Sequence, residues 1–255
     1  MKTRIATAFL ALTFCVGAMA EKALYHHVHL TATNSEEAAQ WYADIFDGEK
    51  KGNVAVFGNT VFVFFEKEAG FPGSYGSAVD HIGFSVPDIE AKMTQFEEAG
   101  VKILTGVHKN KIGKRTRVED PWGTVIEVVE DPDLLGFHHF HLVSADPDAT
   151  LKWYQEMFGG EITDYKGIGA LKTIAYGEDG ARLIIHYDPE AKEPTTGRSI
   201  DHLGWSFTDL DAAAEVLKSK GVKFTLEPQP YRDLRIAFIE GPDGVRIELV
   251  QPASK

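Results

Sequence analysis

The chain is poor in cysteine, with one in 255 residues, Cys15, and that one lies inside an N-terminal apolar run. A disulfide framework is therefore excluded. Basic side chains are also in deficit, 26 Lys and Arg against 38 Asp and Glu, for a formal charge of −12. Phosphate backbones are bound by a clustered excess of Lys and Arg, so nucleic acid is not expected as a partner. No later segment approaches the about 20 consecutive apolar residues of a membrane helix, so no membrane association is expected once the N-terminus is removed. What the chain does have is 44% apolar and 11% aromatic residues, enough for a folded core.

Residues 1–20 read as a separate object. Lys2 and Arg4 make a basic start, Ile5 to Val16 a short apolar run, and Ala18-Met19-Ala20 a small-residue cleavage site, the pattern of a secretory signal peptide. Cys15 follows Thr13-Phe14 rather than the small residues expected before a lipid-modified cysteine, so it is expected to be removed rather than acylated. The mature chain, starting near Glu21, is expected to be secreted or periplasmic and long enough to build cores without cross-links.

Repeats organise the remainder. Tyr25-His26-His27-Val28-His29-Leu30, Asp80-His81-Ile82-Gly83-Phe84-Ser85, Phe137-His138-His139-Phe140-His141-Leu142 and Asp201-His202-Leu203-Gly204-Trp205-Ser206 are four short strands with a histidine at one shared place. Each is followed by a capping residue, Asn34, Asp88, Asp146 or Asp209, and a helical stretch closed near Gly48, Gly100, Gly159 or Gly221. Trp41, Tyr42, Trp153 and Tyr154 fall at helical spacing and are expected in the core. β-rich tails follow, such as Val61 to Phe65 and Val245 to Val250. The pattern is an α+β fold of four βαβββ units. The interval from the second histidine to a glutamate is the same in both halves, 81 to 127 and 202 to 248, which marks a duplication. The expected segments are 1–20, 21–131 and 137–252, joined by the turn-rich Asp131-Pro132-Asp133-Leu134-Leu135-Gly136.

These units, with the terminal hairpins Glu119-Asp120-Pro121-Trp122-Gly123-Thr124-Val125-Ile126-Glu127 and Glu240-Gly241-Pro242-Asp243-Gly244-Val245-Arg246-Ile247-Glu248, resemble the vicinal oxygen chelate superfamily. That group includes glyoxalase I, extradiol dioxygenases, epimerases and bleomycin or fosfomycin resistance proteins. The resemblance implies two domains with cupped mixed sheets, each holding a divalent metal on inward side chains. Carried over by position, the ligands are His27, His81 and Glu127 in the first half and His139, His202 and Glu248 in the second. A single strand histidine is more often a hydrogen-bonded core residue. Four at one repeat position, each pair followed by a glutamate, favour metal.

Glyoxalase I completes its shell with a carboxylate or glutamine on the last strand of the odd-numbered units, where this chain has Val63 and Ile184. Two histidines and one carboxylate per half instead match the facial triad of oxygen-activating Fe(II) enzymes. Fe(II) or Mn(II) is the favoured cofactor, with Zn(II) or Ni(II) as alternatives. His186 lies two residues beyond Ile184, on the same face by alternation, and the resemblance gives it an acid/base role; its counterpart is Phe65. Tyr231 is the substitute, from a shifted position, for a tyrosine that extradiol enzymes usually carry, and Arg117, ten residues before Glu127, is either a clamp for a substrate carboxylate or an oxyanion, or an ordinary hairpin surface charge. His29 and His141 point inward as alternative ligands or supporting donors, and His26 and His138 are expected on the outer face.

The leading expectation is an exported, metal-dependent dioxygenase acting on a small, catechol-like molecule, with the second half as the better catalytic candidate. A glyoxalase I-like lyase or epimerase, and a non-catalytic antibiotic-binding protein, are the alternatives. Monomer and homodimer are both open.

Overall fold

The computed structural model describes residues 23–165, 172–176, 182–190 and 192–253. The leader at 1–20 lies outside these residues. No helix among them is long and apolar enough to cross a membrane.

Four βαβββ units follow one another. The first is β1 (Leu24–Ala32), α1 (Ser35–Phe46), β2 (Glu49–Lys51), β3 (Val54–Phe57) and β4 (Thr60–Glu66). The second is β5 (Val79–Val86), α2 (Ile89–Glu98), β6 (Lys102–Asn110), β7 (Gly113–Glu119) and β8 (Val125–Glu130). The third is β9 (Gly136–Ser144), α3 (Pro147–Phe158), β10 (Glu161–Asp164), β11 (Lys172–Ala175) and β12 (Arg182–Tyr187). The fourth is β13 (Ile200–Ser206), α4 (Leu210–Ser219), β14 (Phe224–Tyr231), β15 (Leu234–Glu240) and β16 (Arg246–Gln251).

Each helix starts where a short polar side chain satisfies an amide that lacks an intrahelical partner. Asn34, Asp88, Asp146 and Asp209 accept from the backbone N–H groups of Glu37, Ala91, Ala149 and Ala212. The first helix stops on Asp47, in the left-handed region at φ 57°, one residue before the expected Gly48.

Two eight-stranded mixed sheets result, in the orders β14-β15-β16-β13-β1-β4-β3-β2 and β10-β11-β12-β9-β5-β8-β7-β6. This grouping differs from the expectation that each half of the chain forms its own sheet. The first sheet joins units one and four through antiparallel β1 and β13, and the second joins units two and three through β5 and β9. Every unit leaves its first strand with one unpaired edge, and any other first strand can fill it. Repeat spacing carries no information about which one does.

Consecutive units meet through the core instead. Phe46 of α1 stacks on Phe84 of β5 at 4.0 Å, and Phe158 of α3 stacks on Trp205 of β13 at 4.4 Å. Val28, Leu30, Ile82, Phe140 and Leu203 are buried in one apolar cluster spanning both sheets. Tyr42 and Tyr154 are fully buried in it, while Trp41 and Trp153 pack against it partly covered. Alternation then turns the odd-numbered histidines of β1, β5 and β9, and His202 of β13, to the opposite face.

Candidate metal centres

The first sheet gathers His27 and His29 of β1, His202 of β13 and Glu248 of β16, one ligand atom of each lying within 4.8 Å of the others. The register explains it: His29 pairs with His202, and Gly204 lies between His27 on β1 and Glu248 on β16. Glycine at 204 is required by close approach. A Cβ there would sit 2.1 Å from Cε1 of the His27 ring. Both His27 Nε2, at 2.9 Å, and His202 Nε2, at 3.1 Å, meet the same Glu248 oxygen, Oε2. Asp201 Oδ1 accepts a hydrogen bond from His202 Nδ1 at 2.6 Å, which turns Nε2 toward the cluster.

The second sheet gathers His81 of β5 with His139 and His141 of β9 in the same way, with Glu127 of β8 nearby but outside that close group. His81 pairs with His141, and Gly83, flanked by His139 and Glu127, leaves room for the His139 ring, which a Cβ would meet at 2.1 Å. Asp80 holds His81 Nδ1 at 2.7 Å. Here the carboxylate stands further off, with Glu127 Oε2 at 3.7 Å from His139 Nε2. Its other oxygen takes Arg115 Nη1 at 3.1 Å, with Arg117 Nε at 3.9 Å. His186 of β12 brings its Nδ1 to 2.5 Å from His141 Nε2.

Each centre therefore draws on both halves of the sequence. The expected sets, His27 with His81 and Glu127, and His139 with His202 and Glu248, are not brought together. His27 joins His202 and Glu248, and His81 joins His139 and Glu127. His186 and Arg117, expected in different halves, share the second face. Tyr231 is remote from both clusters, at the exposed end of β14 beside Arg232.

His26 and His138 also depart from expectation. Each is the extra residue of a β-bulge, between Tyr25 and His27 and between Phe137 and His139, which breaks the alternation that would have placed it outward. Their Nδ1 atoms contact those of His27 at 2.9 Å and His139 at 2.8 Å. His138 also contacts the Tyr165 hydroxyl at 3.0 Å and buried Asp131 at 3.4 Å, tying the linker to the second centre.

The donor set suits a divalent ion. The buried Nε2 atoms of His81 and His139 have no hydrogen-bond partner among the described residues, a state that costs roughly 1–3 kcal/mol for each polar group left unsatisfied. A cavity of about 40 Å³ lies among Arg115, Glu127, His139, His141 and Ile184, room for one ion or water. A larger cavity of about 750 Å³, walled by Phe46, Phe57, Phe84 and Phe137, includes none of the cluster histidines.

Burial is the main reason that His27 is lowered to about 4, and that His29, His139 and His141 fall well below the ordinary histidine value. Burial pushes the Glu248 carboxyl up, but hydrogen bonds from His202 and His27 outweigh it and hold the group well below the usual carboxylate range. Asp80 and Asp201 behave alike, each lowered by its histidine against the effect of burial. Neutral imidazoles beside ionised carboxylates are the form in which these groups bind metal.

Gly83, Gly204, Asp80, Asp201 and Arg115 were missed by sequence reasoning as site residues. The signal for four of them was present, because Asp-His-x-Gly occurs at the same place in units two and four.

This architecture is four βαβββ units in tandem, presenting one cluster of three histidines and a glutamate and a second of three histidines with Glu127 nearby. The model of the Glyoxalase/Bleomycin resistance protein/Dioxygenase superfamily matches residues 24–128 and 136–249, and the chain belongs to that superfamily. A probable lactoylglutathione lyase of Synechocystis is 28% identical over 125 residues, covering 46% of this chain and 95% of that protein. A probable chloroplastic lactoylglutathione lyase of Arabidopsis thaliana is 31% identical over 114 residues, 42% of this chain and only 33% of the relative's length. Among solved structures, glyoxalase I from Zea mays aligns with a TM-score of 0.73 at 17% identity, over 91% of this chain and 93% of that one. A putative dioxygenase from Bacillus subtilis aligns with a TM-score of 0.66 at 16% identity, over 91% and 86%. At these identities the structural matches speak for the fold.

Proposed function

We propose that the protein is a divalent-metal-dependent enzyme that moves a proton on a small molecule presenting two adjacent oxygens, a lyase or isomerase reaction rather than oxygen insertion. The observation that carries this reading is the place of His29 and His141. In the parallel register His29 lies beside Val63 and His141 beside Ile184, the apolar positions where the superfamily resemblance called for a fourth ligand. The histidine on the neighbouring strand faces the same cluster and fills the gap.

At the first centre three imidazoles and a carboxylate would give a divalent ion four protein donors, one more than the facial triad of an oxygen-activating enzyme, while at the second the three imidazoles cluster and Glu127 stands further off. This set suits Fe(II), Ni(II) or Zn(II) better than Mn(II). Held by these residues, a divalent ion would supply Lewis acidity toward the substrate oxygens and so acidify the neighbouring C–H. Asp80 and Asp201 orient His81 and His202, and Gly83 and Gly204 admit His139 and His27. His186, half-buried and lowered in pKa chiefly by burial, is placed to take a proton at the second centre. The relatives named lactoylglutathione lyase support the same class. We also propose that the leader directs export.

A dioxygenase remains the second reading, supported by His186 standing at a centre whose carboxylate is held 3.7 Å away from His139 Nε2. The test is metal stoichiometry with His27→Ala, His202→Ala, His81→Ala and His139→Ala, followed by oxygen uptake and solvent-deuterium exchange into candidate substrates. The expected result is two ions per chain, one lost with either His27 or His202 and the other with either His81 or His139, and exchange without oxygen consumption. Oxygen consumption by the loaded protein would replace the lyase or isomerase reading with the dioxygenase one. No ion in any form would sink both.

A further inference from the structure

The two ligand faces are built alike but carry different charge. Beside Glu248 the first sheet has Phe238, with Ile236 two residues away; the matching positions in the second sheet are Arg117 beside Glu127 and Arg115. Phe65 of the first face is likewise replaced by His186. The first sheet has one arginine near its centre, Arg246, and it is already engaged: it donates to Asp201 at 2.8 Å and lies 4.0 Å over the Phe238 ring. The corresponding residue of the second sheet is Val125, so Asp80 lacks that arginine, although the charge of Arg117 helps to lower it.

Arg115 and Arg117 of the second sheet instead approach one oxygen of Glu127, and the buried Nε of Arg115 has no partner. Two guanidiniums present ten N–H donors, far more than one carboxylate oxygen accepts. Their charge reaches the whole face, since Arg117 helps depress His139, His141 and His186. Around the second centre Arg115, Arg117 and Arg182 balance Glu127, Asp80 and Asp131, for a sum of zero, against −1 in the first from Arg246, Glu248 and Asp201. A divalent ion in each raises these to +2 and +1.

We infer that the second centre selects anionic substrates, compounds that carry a carboxylate next to their pair of adjacent oxygens, with Arg115 and Arg117 taking the carboxylate. The first centre, walled by Phe65, Ile236 and Phe238, takes neutral ones. The inference rests on the metal reading above. Guanidinium and carboxylate match in a planar fork, so this is a specificity device rather than a general attraction.

The experiment compares 3,4-dihydroxybenzoate with catechol, which share the adjacent oxygens and differ in the carboxylate. Binding is titrated calorimetrically to the Zn(II)-loaded full chain carrying His202→Ala, which silences the first centre, with and without Arg117→Phe and Arg117→Lys. Metal stoichiometry is measured first, so that a failure of metal binding is read separately. The expected result is a preference of ~10-fold or more for the carboxylate ligand. Arg117→Phe should abolish it and Arg117→Lys should keep part of it, read in each variant as the ratio of the two ligands' affinities. A preference that is absent, or that survives Arg117→Phe, overturns the inference while leaving the metal reading intact. If no metal binds, the same titration on the metal-free chain decides: arginine-dependent binding of the carboxylate ligand sustains the anion site, and its absence overturns it.

Discussion

Gly204→Ala isolates the contact on which the first centre depends. Gly204 does not have a positive φ, so alanine meets no backbone strain there, and by itself the change favours folding by roughly 0.5–1 kcal/mol. The added Cβ, however, would lie 2.1, 2.3 and 2.6 Å from Cε1, Nδ1 and Nε2 of His27. These are atoms of a rigid ring buried on all sides, so the imidazole must leave its place. Overpacking of this kind costs about 1–3 kcal/mol, and loss of the hydrogen bond from His27 to the Glu248 carboxylate adds about 1.5–3 kcal/mol. The expected net loss is about 1.5–5.5 kcal/mol, together with loss of the first centre's ion. In a His27→Ala background the collision partner is gone, and the same substitution should be neutral or mildly stabilising. Urea denaturation of the four proteins of this cycle gives the coupling directly. Equal effects of Gly204→Ala with and without His27 would refute the reasoning.

Asp201→Asn should leave the fold in place and weaken metal binding at the first centre about 10–100-fold, because His202 loses the group that fixes its tautomer; unchanged affinity in a competition titration would mean that Asp201 does not act through His202. Asp120 is buried, accepts from the amides of Trp122 and Thr124 and from Tyr42, and is raised to about 6, chiefly by burial. The native state holds that proton more tightly than the unfolded chain, so this contribution is full below about pH 4 and is lost as pH rises through 6, about 3 kcal/mol in all. Asp120→Asn should therefore stabilise the protein at pH 7.5 and lose that advantage at pH 4.5, and the reverse order of urea midpoints would contradict the burial argument. His27 and His138, each lowered to about 4 mainly by burial, act in the opposite sense. Their contribution is full above pH 6.5 and lost as pH falls through 4, up to about 3 kcal/mol each. The metal-free protein should weaken steadily from pH 6.5 downward, and a flat urea midpoint between pH 7.5 and 5 would rule this out.

Much of this was legible in the chain. The four helix caps, the strand histidines and the glutamates 46 residues beyond His81 and His202 are all local patterns, and each stands where its local chemistry put it. Partnership between units was not legible, because β1, β5, β9 and β13 are near-copies and any of them can close the edge of another. That single ambiguity placed His27 with His81 instead of His202, and separated His186 from Arg117. The bulges at His26 and His138 were hidden for a different reason: one extra residue leaves no mark in an alternating pattern, yet it rotates the side chain by half a turn. Tyr231 was chosen by analogy from a shifted position, and an exposed hairpin end does not bring it to either centre.

The sheet order also sets a schedule for folding. The second sheet joins β5 to β9, units that follow one another directly, so it can assemble while the rest of the chain is still being made. The first sheet waits: His27 and Glu248, which touch in the finished protein, are 221 positions apart. Until β13 and β16 arrive, β1 has an uncovered edge and a row of histidines without their carboxylate, the kind of long-range closure that slows folding and leaves a strand exposed to the wrong partner. A chain of this design is thus most vulnerable in its first unit, because the strand that covers the edge of β1 is β13 of the fourth.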